Sequence, residues 1–288
     1  MTSQERICGD NDAVIAINTH GAKLWTTRCM SRRSAIGLGV GAAALVSAAS
    51  AEYAAAQGQP TTRLKPVLVF DVNETLLDID VLNPIFDRIF GVPGRMREWF
   101  AQLILYSQSI SLAGRYTPFG VLGVGVLRML ATIHGVQVRD EDLNALRVAI
   151  GALPVHPEVP NALRRLSDAG FRMVTLTNTP PGQGADALTI GGIGDMFEQR
   201  FTVDPVRRFK PAPETYRLVT ETLQVPPTMA CMIAAHTWDT LGAQGAGWSA
   251  ALVTRTVNAV LDAPNVPKPD IVEADLVGVA SRIIERWA

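Results

Sequence analysis

The sequence predicts an α/β fold, a parallel sheet flanked by helices with an all-helical segment inserted after the first strand. Three features predict it. From Leu64 onward short apolar runs alternate with amphipathic stretches, the pattern of strands joined by crossover helices. Between Asp78 and about Leu153 the β-branched runs vanish and apolar residues recur at helical spacing. Of 288 residues, 48% are hydrophobic and 18% charged, enough to build a core for one or two domains. A formal net charge of -1, with no basic run, gives no electrostatic reason to expect nucleic acid or an anionic membrane surface as a partner.

The first 56 residues read as an N-terminal extension plus an export signal. Ser31-Arg32-Arg33 stands directly before a Gly/Ala-rich apolar run at 35–49, the basic-then-apolar order of a secretory leader, and the paired arginines make it a twin-arginine (Tat) signal. Gly37, Gly39 and Gly41 dilute the run, which favours a cleaved leader over a spanning anchor. Ala49-Ser50-Ala51 and Ala54-Ala55-Ala56 each offer a small-residue cleavage site, so the mature chain is expected to begin near Glu52 or Gln57. Met30, just before the arginine pair, is an alternative start of translation. The Tat export machinery is thus an expected partner, and the periplasm or another extracytoplasmic compartment the expected location. Cys8 and Cys29 fall in this region, which leaves Cys231 alone in the mature chain; it lies in an apolar run and reads as a buried structural thiol.

Val67-Leu68-Val69-Phe70 is the first strand. Residues 79–153 form the helical insertion, with Trp99, Phe100, Leu103 and Tyr106 on one apolar stripe and Val124, Leu127, Leu130 and Ala131 on another. A helix at 158–169 is ended by Gly170, and the second strand follows at 172–176. Further strands are expected at 229–234 and 250–253, and a last helix at 276–287. The core is then 64–78 plus 154–288, and the insertion covers the crevice where open α/β sheets bind ligands. His134, beside Gly135 at a helix end, and His156 have no partners at metal-binding spacing and read as loop or cap residues.

Asp71-Val72-Asn73-Glu74-Thr75-Leu76-Leu77-Asp78 follows the first strand directly, so Asp71 is presented at its carboxyl end. An ionised carboxylate there can attack an electrophile and form a covalent intermediate. Downstream come Thr177-Asn178 at the end of the second strand, Lys210 in Phe209-Lys210-Pro211, and Asp239 in Ala234-Ala235-His236-Thr237-Trp238-Asp239. Four strand ends would bring a nucleophile, a hydroxyl-amide pair, an ammonium and a second carboxylate to one crevice.

The order and spacing of these segments resemble the four motifs of the haloacid dehalogenase (HAD) superfamily, and 204–216 resembles the corresponding stretch of the 2-haloacid dehalogenases (L-2, type II). The resemblance runs from Val67 onward. It implies a Rossmann-like α/β core with a helical cap, and a hydrolase that turns a small 2-haloacid into a 2-hydroxy acid through an aspartyl ester, with no metal or other cofactor. By the same resemblance Asp71 is the nucleophile; Thr75, Thr177 and Asn178 hold its carboxylate and the substrate's; Lys210 keeps Asp71 ionised; Asp239 positions Lys210 and the hydrolytic water. It also implies a homodimer.

The superfamily's phosphatases carry a second aspartate two residues after the nucleophile and an acidic, magnesium-binding fourth motif. Here those positions hold Asn73, which cannot serve as a carboxylic general acid, and His236, a poor magnesium ligand. The sequence therefore leans to the metal-free branch. A phosphatase or other hydrolase with the same nucleophile, identified by magnesium dependence, and a non-catalytic exported binding protein are the rival readings. Where the dehalogenases have a cap arginine for the departing halide, this chain has Phe100, read either as a cap-core residue or as a substrate contact. Arg97 and Arg115 are candidate replacement cations. Ala234 and His236 stand where the family has serine and asparagine. His236 reads equally as general base for ester hydrolysis or as a structural histidine, and Trp238 as a pocket wall or a packing residue.

Overall fold

Val67–Phe70 form β1, a strand whose four apolar side chains are all buried, as a central parallel strand covered on both faces requires. The computed structural model of the protein describes residues 64–180 and 186–288; the expected leader, with Cys8 and Cys29, lies outside the described residues. After β1 the chain turns through residues 72–77, closed by Leu76 and Leu77 N–H donating to Val72 O. Four helices follow: α1 (Asn83–Phe90), α2 (Arg95–Leu112), α3 (Phe119–His134) and α4 (Asp140–Gly151). Gly135, in the left-handed region at φ 68°, ends α3.

The remaining elements alternate: α5 (Val159–Asp168), β2 (Met173–Thr177), α6 (Ala187–Ile190), β3 (Gln199–Thr202), α7 (Pro213–Leu223), β4 (Ala230–Ala234), α8 (Thr237–Gly245), β5 (Ser249–Val253), β6 (Ile271–Glu273) and α9 (Leu276–Trp287). The sheet is parallel throughout in the order β3-β2-β1-β4-β5-β6. The chain departs from β1 in both directions, so the crevice at the carboxyl ends of β1, β2 and β4 is the topological switch point. Phe70 is in register with Thr175 on one side and Ile233 on the other, and Asp71 N–H continues the ladder to Ile233 O at 3.0 Å.

The expected strands at 67–70, 172–176, 229–234 and 250–253 and the last helix all form. β3 and β6 were not expected. Both are edge strands, and β3 exposes Gln199 and Arg200, so neither has the apolar run that marks a central strand. Tyr106 leaves the stripe assigned to it and is 37% exposed. The buried line of α2 runs instead through Met96, Trp99, Leu103, Ser107 and Ser111. Its small serines let the loop after β3 approach: Ser111 Oγ donates to Ser107 O and accepts from Phe209 N–H, both at 2.9 Å. Helices α2 and α3 are also close, because a Cβ on Gly123 would stand 3.2 Å from Trp99, whose indole N–H donates to Gly123 O. The helices between β1 and α5 and the sheet share one hydrophobic core.

Candidate active site

Asp71 emerges from β1 with both carboxylate oxygens occupied. Oδ1 accepts from Lys210 Nζ at 2.9 Å and Oδ2 from Thr75 Oγ1 at 2.8 Å. The Thr75 hydroxyl in turn accepts from Ala235 N–H at 2.8 Å, so its own proton is directed at Asp71. Lys210 is fully buried and spends its three protons on Asp71, on Asp239 Oδ2 at 2.6 Å and on Leu176 O at 2.9 Å. A buried ammonium is tolerable only with such complete pairing. Lys210 N–H donates to Asn178 Oδ1, which fixes the loop, and Tyr216 Oη donates to Asp239 Oδ1 at 2.8 Å. Tyr216 reaches that oxygen because Gly242 on α8 has no Cβ to block it.

A second set of charges adjoins the first. Glu74, at φ 67°, is a non-glycine residue in the left-handed region, a conformation costing about 1–2 kcal/mol. Its buried carboxylate bonds His236 Nε2 at 2.6 Å and also pairs with Arg97, which reaches on to Asp80 at 2.6 Å. His236 Nδ1 lies 3.4 Å from Asp71 Oδ2. The His236 ring stacks on Trp238 at 4.9 Å and 18°, and stands 5.6 Å from the Phe100 ring.

Burial opposes ionisation of Asp71, yet the charges of Lys210 and His236 outweigh it and hold the carboxyl well below the usual range. Burial alone would lower the pKa of His236; the hydrogen bonds and charges of Asp71 and Glu74 reverse this and raise it to about 9. Lys210, disfavoured by burial but held by Asp239 and Asp71, is also raised. Three carboxylates, Asp71, Glu74 and Asp239, thus interleave with three cations, Lys210, His236 and Arg97.

The structure brings together Asp71, Thr75, Lys210, His236 and Asp239, with Asn178 and Trp238 against them. It corrects the arrangement expected in three respects. Lys210 does not end a strand but lies in the loop between β3 and α7, and Asp239 sits in the first turn of α8, because helix and loop have the reach that a strand end lacks. Thr177 turns its hydroxyl to Thr179 N–H rather than to Asp71. Arg97 is consumed by Glu74 and Asp80, and Arg115 is exposed. Asp71 and Glu74, on either side of its ring, favour the protonated form of His236. Sequence reasoning assigned no role to Glu74: a glutamate in a tight turn gave no signal, and its pairing with His236 links residues 162 positions apart. A magnesium ion does not fit these groups, since His236 offers nitrogen rather than oxygen, both Asp239 oxygens face donors, and Asn73 Nδ2 donates to Thr179 Oγ1.

Beside the charged cluster, under α2, α3 and α4, lies a cavity of about 580 Å³. Asn73, Thr179 and Phe100 line it on the nucleophile's side, and Trp99, Leu103 and Val124 form apolar wall. Trp238 does not line it; its place is against His236.

The family model described as haloacid dehalogenase-like hydrolase matches residues 66–247. Among curated relatives, (S)-2-haloacid dehalogenase from Xanthobacter autotrophicus is 30% identical over 65% of this chain and 74% of that protein, and (S)-2-haloacid dehalogenase 1 from Pseudomonas sp. (strain CBS-3) is 28% identical over 65% and 83%. Among solved structures, the L-2-haloacid dehalogenase RSc1362 superposes with a TM-score of 0.70 at 25% identity, covering 76% of this chain and 98% of that one. The fold, the buried aspartate–lysine–aspartate cluster and these likenesses agree: the chain belongs to the haloacid dehalogenase-like hydrolase family.

Proposed function

We propose that the protein hydrolyses the carbon–halogen bond of 2-haloalkanoic acids, with Asp71 as nucleophile and without a metal. The observation that carries this reading is the state of Asp71. It is 4% exposed, ionised by Lys210, and two residues from Asn73, which lines an apolar cavity, so a desolvated carboxylate stands next to space for an organic electrophile. The reading is supported by relatives named as (S)-2-haloacid dehalogenases.

In the first step an Asp71 oxygen attacks C2 and the halide leaves with the bonding pair, giving an ester. His236 Nδ1, 3.4 Å from Asp71 Oδ2, is the cationic donor beside the nucleophile, and Asn73 and Thr179 on the cavity wall are at hand for the substrate carboxylate. Esterification removes the negative charge of Asp71 and with it one of the two carboxylates that keep His236 protonated. Its pKa therefore falls, and the ring releases its proton to solvent, balancing the departed halide; the neutral ring, still oriented by Glu74, then takes a proton from a water attacking the ester carbonyl. The tetrahedral intermediate collapses with loss of the 2-hydroxy acid, whose alkoxide oxygen takes the remaining proton of the added water, leaving Asp71 as a carboxylate and His236 protonated.

Halide release from racemic 2-chloropropionate and from bromoacetate, with and without EDTA, tests the reading. Release that survives EDTA and is lost in Asp71→Asn is the expected result. Turnover of phosphate esters only when magnesium is added would replace dehalogenation by a phosphatase reading. Export is part of the proposal, supported by Ser31-Arg32-Arg33 before the apolar run at 35–49; replacing both arginines by lysine should retain the protein in the cytoplasm.

A further inference from the structure

The cavity is far larger than a short haloacid needs. At ~30 Å³ per heavy atom, the share of one water in the liquid, the six heavy atoms of 2-chloropropionate take roughly 180 Å³, about a third of the 580 Å³ present. The surplus is not polar space. Ile79, Leu82, Leu103, Phe119, Leu146 and Leu153 line it and are buried or nearly so. The polar side chains at its surface are few: Asn73 and Thr179 on the sheet side, and Asn144 and Arg147 on α4. The last two are exposed and bonded to each other at 2.9 Å, and with Gly120 and Val121 they mark the mouth.

We infer that the site takes 2-substituted acids with an unbranched apolar tail of about eight to twelve carbons, the tail lying between α2, α3 and α4 and pointing toward Arg147. The head is fixed by chemistry. The carbon under attack must reach Asp71, and its carboxylate, one bond away, must stay with the amides and Thr179 on the sheet side, so only the rest of the chain can enter the apolar space. A ten-carbon 2-haloacid has thirteen heavy atoms and takes roughly 390 Å³ at the same ~30 Å³ each, a normal filling for a ligand pocket of this size. The apolar lining excludes a second charge from the interior. The inference rests on the proposed reading for the head group and its placement at Asp71, while the apolar tail rests on the cavity.

Two measurements on the full chain separate the tail from the chemistry. Calorimetric binding of 2-hydroxydecanoate and of lactate, product analogues that cannot react, reads the tail alone. Each buried methylene is worth about a four-fold gain, so 2-hydroxydecanoate should bind at least ten-fold more tightly. Val124→Phe, which fills the middle of the cavity, and Gly120→Leu, where a Cβ meets nothing within 4 Å and so folding is not threatened, should each shrink that ratio. Halide release from 2-bromo acids of three, six and ten carbons reads the chemistry, and its specificity constant should climb along the series. Equal affinity for the two hydroxy acids, or a ratio untouched by both variants, overturns the tail site even if halide is released. Tight, variant-sensitive binding of 2-hydroxydecanoate with no halide from any acid retires dehalogenation and upholds the tail site.

Discussion

His236 Nε2 lies 2.6 Å from Glu74 Oε2, and the far side of the same ring faces the nucleophile at 3.4 Å. One imidazole therefore couples the turn after β1 to the nucleophile, and its protonation is a folding variable.

The first consequence is pH-dependent stability. His236 titrates near 9 when folded, above its ordinary 6.5. A group whose pKa is raised by folding contributes stability that is fully present below the unfolded value and is lost as pH rises through the folded one. Stability should thus fall between about pH 6.5 and pH 9.5, by about 3 kcal/mol at ~1.4 kcal/mol per pH unit of difference. Urea unfolding at the two pH values measures it, and in His236→Asn the alkaline loss should be absent.

Among the described residues Lys210 alone bridges Asp71 and Asp239. Lys210→Met leaves Asp71 and Asp239 buried without their common cation, which should cost about 3–5 kcal/mol of stability and abolish turnover. Lys210→Arg should also be inactive, because the pocket around Nζ is closed and its three acceptors are placed for an ammonium. Denaturant titration and halide assays would check both.

Phe100 stands where the resemblance to the dehalogenases predicts an arginine, yet restoring it should not help. An arginine at this position would put a second cation beside the His236 imidazolium, 5.6 Å from the present ring. Phe100→Arg should lower the pKa of His236 and reduce halide release. NMR titration of the imidazole reads the first effect directly. A variant with faster turnover would show that His236 does not carry the positive charge assigned to it.

The central strands and the principal charged residues were legible in the sequence for the same reason: each is a local signal. Val67–Phe70 is an unbroken apolar run with Asp71 directly after it, and Lys210 and Asp239 stand in short segments that resemble the family's motifs. What was not legible depends on partners distant in sequence. β3 and β6 are strands only because β2 and β5 offer them an edge. The role of Glu74 exists only through His236 and Arg97, and Arg97, a candidate replacement cation, proved to be neutralised by it. The hydroxyl of Thr177 could be placed on neither Asp71 nor the backbone without the turn at Thr179. The size of the cavity is a property of how α2, α3 and α4 stand apart, which apolar periodicity does not specify.

The central claim is that Asp71 becomes an ester, and a single turnover in H₂¹⁸O with protein in excess over 2-chloropropionate tests it most directly. If water attacks the ester carbonyl, the hydroxyl oxygen of the first product comes from Asp71, so that lactate is unlabelled and mass spectrometry finds ¹⁸O in the peptide containing Asp71. Labelled lactate with an unlabelled Asp71 peptide would mean that water displaces the halide itself, and the covalent account would be wrong.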